Sequence, residues 1–156
     1  MSSLAWDVQA HRHGPPPEGH LTNHQIDGIR IMRKTLLSSQ TSCHDDEAVW
    51  KTLSMTSDAI NLDVPSILLW QEEGQKRRNA LFYFIDEGEE AVAMEICQVL
   101  LEAKDKETLQ ELVDATCFIH GERTTFEDLA ERKGCERILR MLERVDCLPS
   151  STSTSL

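Results

Sequence analysis

Two residues have the types and the spacing of a nucleophile and its base. Cys117 and His120 are three positions apart, so a helix would carry both side chains on one face. The imidazole could then take the thiol proton and leave a thiolate nucleophile. No glycine-rich elbow accompanies the pair, and His120 precedes Gly121 at a predicted helix end. We interpret His120 as a helix-capping residue. A small hydrolase or transferase using Cys117 and His120 stays as an alternative.

Metal chemistry finds little support in the sequence. Four histidines lie near the N-terminus: His11, His13, His20 and His24. Structural zinc sites need ligands that folded segments hold in a tetrahedral arrangement, whereas the run of prolines at 15–17 predicts an extended backbone. The five cysteines are widely spaced and form no CxxC pair. We therefore expect reduced thiols, no metal site and no cofactor.

Net charge is more informative about function than the candidate catalytic and metal-binding residues. The formal net charge is −11, which argues against nucleic acid and against an anionic membrane surface. Ten acidic residues lie from Asp86 to Asp114, with only Lys104 and Lys106 opposing them. Such a concentration either keeps the protein soluble or attracts a partner protein with a basic surface. The one basic run, at 76–78, is interpreted as a solvated helix start.

The elements that would position these residues are helices. Thr22 and Gln25 match a capping box, and the helix that follows has a predicted buried stripe with cations outside it. The stripe consists of Ile26, Ile29, Ile31, Met32, Leu36 and Leu37, and the outer cations are Arg30, Arg33 and Lys34. A second helix is predicted up to Ile60, and a third begins after Asp63 and ends at Gly74. No strand is required, so the predicted fold class is all-α.

A helical hairpin is predicted near the C-terminus. Thr124 or Thr125 can cap its first helix, and Gly134 lies where that helix must end, because glycine adopts the left-handed conformation without steric cost. Leu129 in the first helix should face a shared interior with Ile138 and Leu142 in the second.

This hairpin resembles the two-helix core of an ankyrin repeat. The resemblance lies in Asp128–Ala130, Gly134, Ile138–Leu139 and Met141–Leu142, and Asn79–Ile85 with Gly88 repeats its first half. Together the match covers about residues 79–143. The chain departs from the family pattern in having Phe82 and Ala80 where the motif prefers histidine and proline. Equivalent positions are 46 residues apart instead of about 33, because a longer second helix and an additional helix within 104–119 intervene.

The resemblance implies stacked antiparallel helical hairpins, a degenerate ankyrin-like solenoid that binds a partner protein through loops and inner helices. Armadillo or HEAT repeats and a compact multi-helix bundle, including death-fold adaptors that self-associate, remain alternatives. We expect a non-enzymatic adaptor or regulator with an acidic helical surface. The predicted partner-binding residues are Phe82, Asp86, Glu87, Glu89, Glu90, Thr124 and Glu127.

The predicted organisation is one helical domain between two tails. Residues 1–20 form a flexible N-terminal tail, residues 21–147 the all-α domain, and residues 148–156 a flexible Ser/Thr-rich C-terminal tail. The final residues Thr154, Ser155 and Leu156 resemble a ligand of PDZ domains, which capture a terminal carboxylate. No uninterrupted apolar run reaches the roughly 18 residues that a membrane span needs. We expect a cytoplasmic protein, with the nucleus as the alternative.

Overall fold

Helices dominate the architecture. The computed structural model describes residues 21–38 and 48–148. These residues form α1 (Asn23–Ser38), α2 (Ala48–Ile60), α3 (Val64–Leu69), α4 (Ala80–Asp86), α5 (Glu90–Glu102), α6 (Lys106–Asp114), β1 (Thr116–Ile119), β2 (Glu122–Thr125), α7 (Phe126–Arg132) and α8 (Glu136–Arg144). The predominantly helical class is confirmed, and the small sheet was not predicted. The predicted N-terminal tail at 1–20 and residues 149–156 of the predicted C-terminal tail lie outside the described residues.

Side-chain caps begin α1, α3, α4 and α7, and those at Thr22, Asp63 and Thr125 lie at positions that the sequence predicts. The Gln25 amide donates to Thr22 Oγ1 at 3.1 Å, and the Thr22 amide donates to Gln25 Oε1 at 3.0 Å, so the capping box is confirmed. Asp63, Asn79 and Thr125 each accept a hydrogen bond from the amide three residues on. These caps satisfy amides that have no partner within the helix.

Helical hairpins pack side by side around one core. Helix α4 contacts α7, and α5 contacts both α2 and α8. The rings of Phe82 on α4 and Phe126 on α7 meet edge to face with centroids 5.4 Å apart, a favoured aromatic geometry. Both rings are fully buried. Aromatic packing therefore joins the first helices of the two hairpins.

The C-terminal hairpin has the predicted form. Helix α7 ends at Arg132, α8 begins at Glu136, and Gly134 lies between them with φ +73°. Leu129, Ile138 and Leu142 are fully buried. The glycine stop and the shared interior are both confirmed.

A β-hairpin replaces the end of the additional helix predicted within residues 104–119. Helix α6 ends at Asp114, and Phe118, predicted to be helical, lies in β1. Strands β1 and β2 are antiparallel, with Ile119 opposite Glu122. His120 and Gly121, with φ 53° and 80°, form the two-residue turn that suits a hairpin. The interpretation of His120 as a helix cap is therefore wrong.

The buried face of α1 differs from the predicted stripe at two positions. Ile31 is 63% exposed, whereas Arg33 is only 2% exposed. Ile29, Met32, Arg33 and Leu36 follow the three- and four-residue spacing of one helical face. Residue 31 falls outside that face, so helical position and not residue type decides which side chain is buried.

The segment between α3 and α4 also differs from prediction. Helix α3 ends at Leu69 with Trp70 as its C-terminal cap, five residues before Gly74. The basic run Lys76–Arg78 lies in the following loop and not at a helix start. Arg78 is only 7% exposed, so the prediction of a fully solvated run is wrong.

We expect Leu142→Ala to destabilise the protein by about 2 to 5 kcal/mol, the usual cost of truncating a buried leucine to alanine. Arg140→Ala is the matched control. Arg140 is exposed, and its pair with Glu136 is exposed as well, so its loss should cost less than about 0.5 kcal/mol. Urea unfolding of both variants measures the difference. Equal effects would contradict the hairpin packing.

Gly28→Ala should destabilise the protein although alanine is the better helix former by about 1 kcal/mol. A Cβ at position 28 would overlap Cγ2 of Ile60 on α2, and Ile60 is buried. Overpacking of this kind typically costs about 1 to 3 kcal/mol. Thr35→Ala, at an exposed position of α1, gives the control because it gains helix propensity without a clash. A more stable Gly28→Ala variant would disprove the close approach of α1 and α2.

Candidate functional site

Arg78 is the centre of a network of ion pairs. Its guanidinium donates to both carboxylate oxygens of Glu72 through Nε and Nη2. Its Nη1 donates to Asp86 at 2.6 Å and to Glu87 at 3.1 Å. A bidentate pair of this kind fixes geometry as well as charge. Burial by itself would lower the pKa of Arg78, but its hydrogen bonds to Glu72 and the neighbouring negative charges raise it.

Asp86 connects this network to two lysines. Lys76 Nζ lies 3.2 Å from Oδ2, and Lys133 Nζ lies 3.4 Å from Oδ1. Burial would raise the pKa of Asp86, but the hydrogen bond from Lys76 and the three cations lower it. Because Lys133 lies between α7 and α8, the carboxylate ties α4 to the C-terminal hairpin.

Three acidic residues that were predicted to bind a partner instead pair with groups of this protein. Asp86 and Glu87 pair with Arg78, as described above. Glu90 accepts a hydrogen bond from the Ile138 amide at 3.0 Å and lies 3.4 Å from Arg137 Nε. These three carboxylates of the predicted partner-binding set therefore stabilise contacts between elements of the protein.

The remaining predicted partner-binding residues divide by exposure. Phe82 and Thr124 have no exposed surface, because Phe82 packs on Phe126 and the Thr124 hydroxyl donates to the Glu122 carbonyl at 3.0 Å. The prediction that these two side chains lie on a partner-binding surface is therefore wrong. Glu89 and Glu127 are half-buried.

A second buried arginine lies beside the network. Arg33 Nη1 donates to the Arg78 carbonyl at 3.2 Å, and Nη2 donates to the Trp70 carbonyl at 2.8 Å. Its Nε has no hydrogen-bond partner in the described part of the chain. Burial lowers the pKa of Arg33 to about 10, with Glu72 opposing that effect. The side chain remains protonated at neutral pH.

Three arginines and two aromatic rings alternate across this region. Arg30 and Arg33 lie 5.9 and 5.0 Å from the centroid of Trp70, and Arg33 and Arg78 lie 5.1 and 4.7 Å from that of Tyr83. These distances are those of cation–π contacts. We call this series, Arg30–Trp70–Arg33–Tyr83–Arg78, the arginine ladder.

A pocket of about 250 Å³ opens along the arginine ladder. Its lining consists of Arg30, Arg33, Lys34, Trp70, Glu72 and Tyr83. We call it the ladder pocket. Sequence reasoning missed it because Arg33 was assigned to the outer face of α1. The spacing from Ile29 to Arg33, four residues along the buried stripe, was the signal that could have found it.

Comparisons with models of protein families, with curated proteins and with solved structures found no match. The ankyrin resemblance therefore stays a prediction, and functional inference rests on the residues themselves.

Cys117 and His120 occupy unsuitable positions for a catalytic pair. Cys117 is fully buried in β1, and burial, followed by the charge of Asp86, raises the pKa of its thiol to about 11. A thiolate is therefore disfavoured at neutral pH. His120 lies exposed in the β-turn. These observations give the hydrolase alternative no support.

The remaining predicted sites lie partly within the described residues. Residues 21–38 and 48–148 contain no group of three or more His, Cys, Asp or Glu side chains that could hold a metal ion. None of the helices within these ranges is long and apolar enough to cross a membrane. His11, His13, His20 and the PDZ-type ending at Thr154, Ser155 and Leu156 lie outside the described residues.

Glu72→Gln should lower the free energy of unfolding at pH 7, and the difference from wild type should shrink as pH falls. The pKa of Glu72 is lowered from 4.5, since hydrogen bonds and charge from Arg78 outweigh burial. A depressed carboxyl pKa gives stability that is complete above the unfolded-state pKa and is lost at lower pH. Urea unfolding from pH 7 to pH 3 measures this.

Glu73→Gln is the matched control for this test, because Glu73 is an exposed neighbour in the same loop. It should unfold like wild type throughout the range. A deficit of Glu72→Gln that stays constant down to pH 3 would show that the charge of the carboxylate is not what stabilises the network.

Proposed function

We propose that this protein is a non-enzymatic protein-binding module that uses the loop side of its stacked helical hairpins. One observation carries the proposal: the segments that precede the two hairpins lie side by side. The Phe118 amide in β1 donates to the Lys76 carbonyl at 2.8 Å. Gln71 Nε2 donates to the Thr116 carbonyl at 3.0 Å. The loop before α4 and the β-hairpin before α7 therefore form a continuous feature.

The ankyrin-like order of elements supports this function. In repeat proteins, equivalent loops of successive hairpins project from one side and build an extended binding surface. Loops held by a rigid scaffold are also common binding elements. Here β2 packs against α7, and the buried Thr124 anchors the β-hairpin to the core. We define the loop face as the exposed residues 73–77 and 120–123.

The loop face carries both signs of charge. Arg77 and Arg123 are exposed cations, and Glu73 and Glu122 are exposed carboxylates. Aromatic and aliphatic side chains are scarce on this face. A partner would therefore be recognised by polar and charged contacts, which govern specificity and encounter rate more than affinity.

The acidic surface predicted from the sequence is the competing location. Ion pairs use Asp86, Glu87 and Glu90, but Glu107 and Glu111 on α6 remain exposed. They are four residues apart and share one helical face. A basic partner could approach there, so an experiment must separate this face from the loop face.

Affinity capture with paired variants separates the two surfaces. The full chain, an Arg77→Glu/Arg123→Glu variant and a Glu107→Gln/Glu111→Gln variant would each be used as bait in a lysate of the source cells, with quantitative mass spectrometry. We expect proteins retained by the wild type to be lost from the loop-face variant and kept by the α6 variant. Circular dichroism would verify that both variants remain folded.

The opposite pattern would contradict the proposal. If the retained proteins depend on Glu107 and Glu111 and not on Arg77 and Arg123, the acidic helical surface is the binding surface.

A further inference from the structure

Positive charge is unevenly neutralised along the arginine ladder. At one end, Arg78 meets the carboxylates of Glu72, Asp86 and Glu87. In the middle, Arg33 donates to two carbonyl groups and to no carboxylate of the described residues. At the other end, Arg30 makes no ion pair with any described residue and contacts the face of Trp70.

The ladder pocket lies at the end where charge is not neutralised. Arg30, Arg33 and Lys34 supply three cations to its lining, and Glu72 supplies the only carboxylate. That carboxylate is engaged by two nitrogens of Arg78. Lys34 makes no ion pair within the described part of the chain. The pocket therefore has an excess of positive charge in a protein whose formal net charge is −11.

We propose that the ladder pocket binds a phosphate group, as inorganic phosphate or as a phosphate monoester. A phosphate near neutral pH carries about −1.5 to −2 charges and three or more acceptor oxygens. Arginine and lysine side chains are the residues that most often bind it. A dianion matches the excess charge better than a carboxylate, which carries one.

The size of the pocket restricts what the phosphate can be attached to. Pockets for drug-sized ligands usually measure about 300–1,000 Å³, and this one measures about 250 Å³. The space suits phosphate with a short attached group, such as a phosphorylated side chain, and is small for a nucleotide.

The aromatic rings order the arginine side chains before a ligand binds. Trp70 contacts the guanidinium groups of Arg30 and Arg33, and Tyr83 also contacts that of Arg33. Arginine side chains that are already ordered lose less conformational entropy when a ligand binds. The buried charge of Arg33 acts through a medium of low polarity, which strengthens its attraction for an anion. The site does not depend on the proposed function, since none of its lining residues belongs to the loop face.

Calorimetric titration of the full chain tests the site. The probes are inorganic phosphate, O-phosphotyrosine and O-phosphoserine, with acetate and unmodified tyrosine as controls at constant ionic strength. We expect one saturable site for phosphate or for a monoester and none for acetate. Tighter binding of a monoester would identify a larger phosphorylated molecule as the ligand, whereas tighter binding of inorganic phosphate would identify the free ion.

Variants at exposed positions locate the site without disturbing the core. Arg30→Ala and Lys34→Ala should each weaken binding by roughly tenfold, the effect of losing one hydrogen bond to a charged group. Arg140→Ala removes an equivalent exposed charge on α8 and should leave binding unchanged. The indole N–H signal of Trp70 in an NMR titration should shift with phosphate in wild type and in Arg140→Ala.

Three results would overturn the proposal. One is the absence of saturable phosphate or monoester binding. Another is binding of acetate with equal affinity, and the third is an equal loss of affinity in Arg140→Ala, which would indicate a general response to net charge.

Discussion

Two buried guanidinium groups, those of Arg33 and Arg78, constrain how α1, α4 and the loop between α3 and α4 are arranged. A buried charge is costly unless it is paired and hydrogen-bonded, so each element near Arg33 and Arg78 must supply acceptors. The loop supplies Glu72 and the carbonyls of Trp70 and Arg78, and α4 supplies Asp86. Helix α1, the loop and α4 are thereby held in one arrangement, although hydrophobic packing alone would leave the loop free to vary.

Ion pairing also explains why part of the acidic composition does not appear as free surface charge. A formal net charge of −11 suggests a surface of free carboxylates. Asp86 and Glu90 instead bind cations from the C-terminal hairpin, Lys133 and Arg137. Their charge is used to join one hairpin to the next. Exposed carboxylates remain on α6, at Glu107 and Glu111, and on the loop face, at Glu73 and Glu122. On the loop face they lie among exposed cations, so the proposed binding surface is of mixed charge.

Features determined by neighbouring residues could be predicted from the sequence, and features determined by distant contacts could not. Thr22 caps α1 and Gly134 ends the turn after α7 because each acts on amides or backbone angles within a few residues. The β-hairpin was missed because a His120–Gly121 turn is a weaker signal than Asn–Gly. The spacing from Ile29 could have placed Arg33 on the buried face of α1, but its acceptors, the carbonyls of Trp70 and Arg78, are 37 and 45 residues away. The pattern of residue types does not show which groups satisfy a buried cation.

The loop between α3 and α4 contributes both to the stability of the fold and to the proposed binding surface. Its two ends are closed on each other, since the Glu72 amide donates to the Arg78 carbonyl at 3.1 Å and Gln71 Nε2 donates to the Arg77 carbonyl at 3.0 Å. Its middle is fixed by the bond from Phe118 to Lys76. A long polar loop would normally lose much conformational entropy on meeting a partner. This one is already ordered, so contacts made by its exposed side chains would contribute more of their energy to affinity.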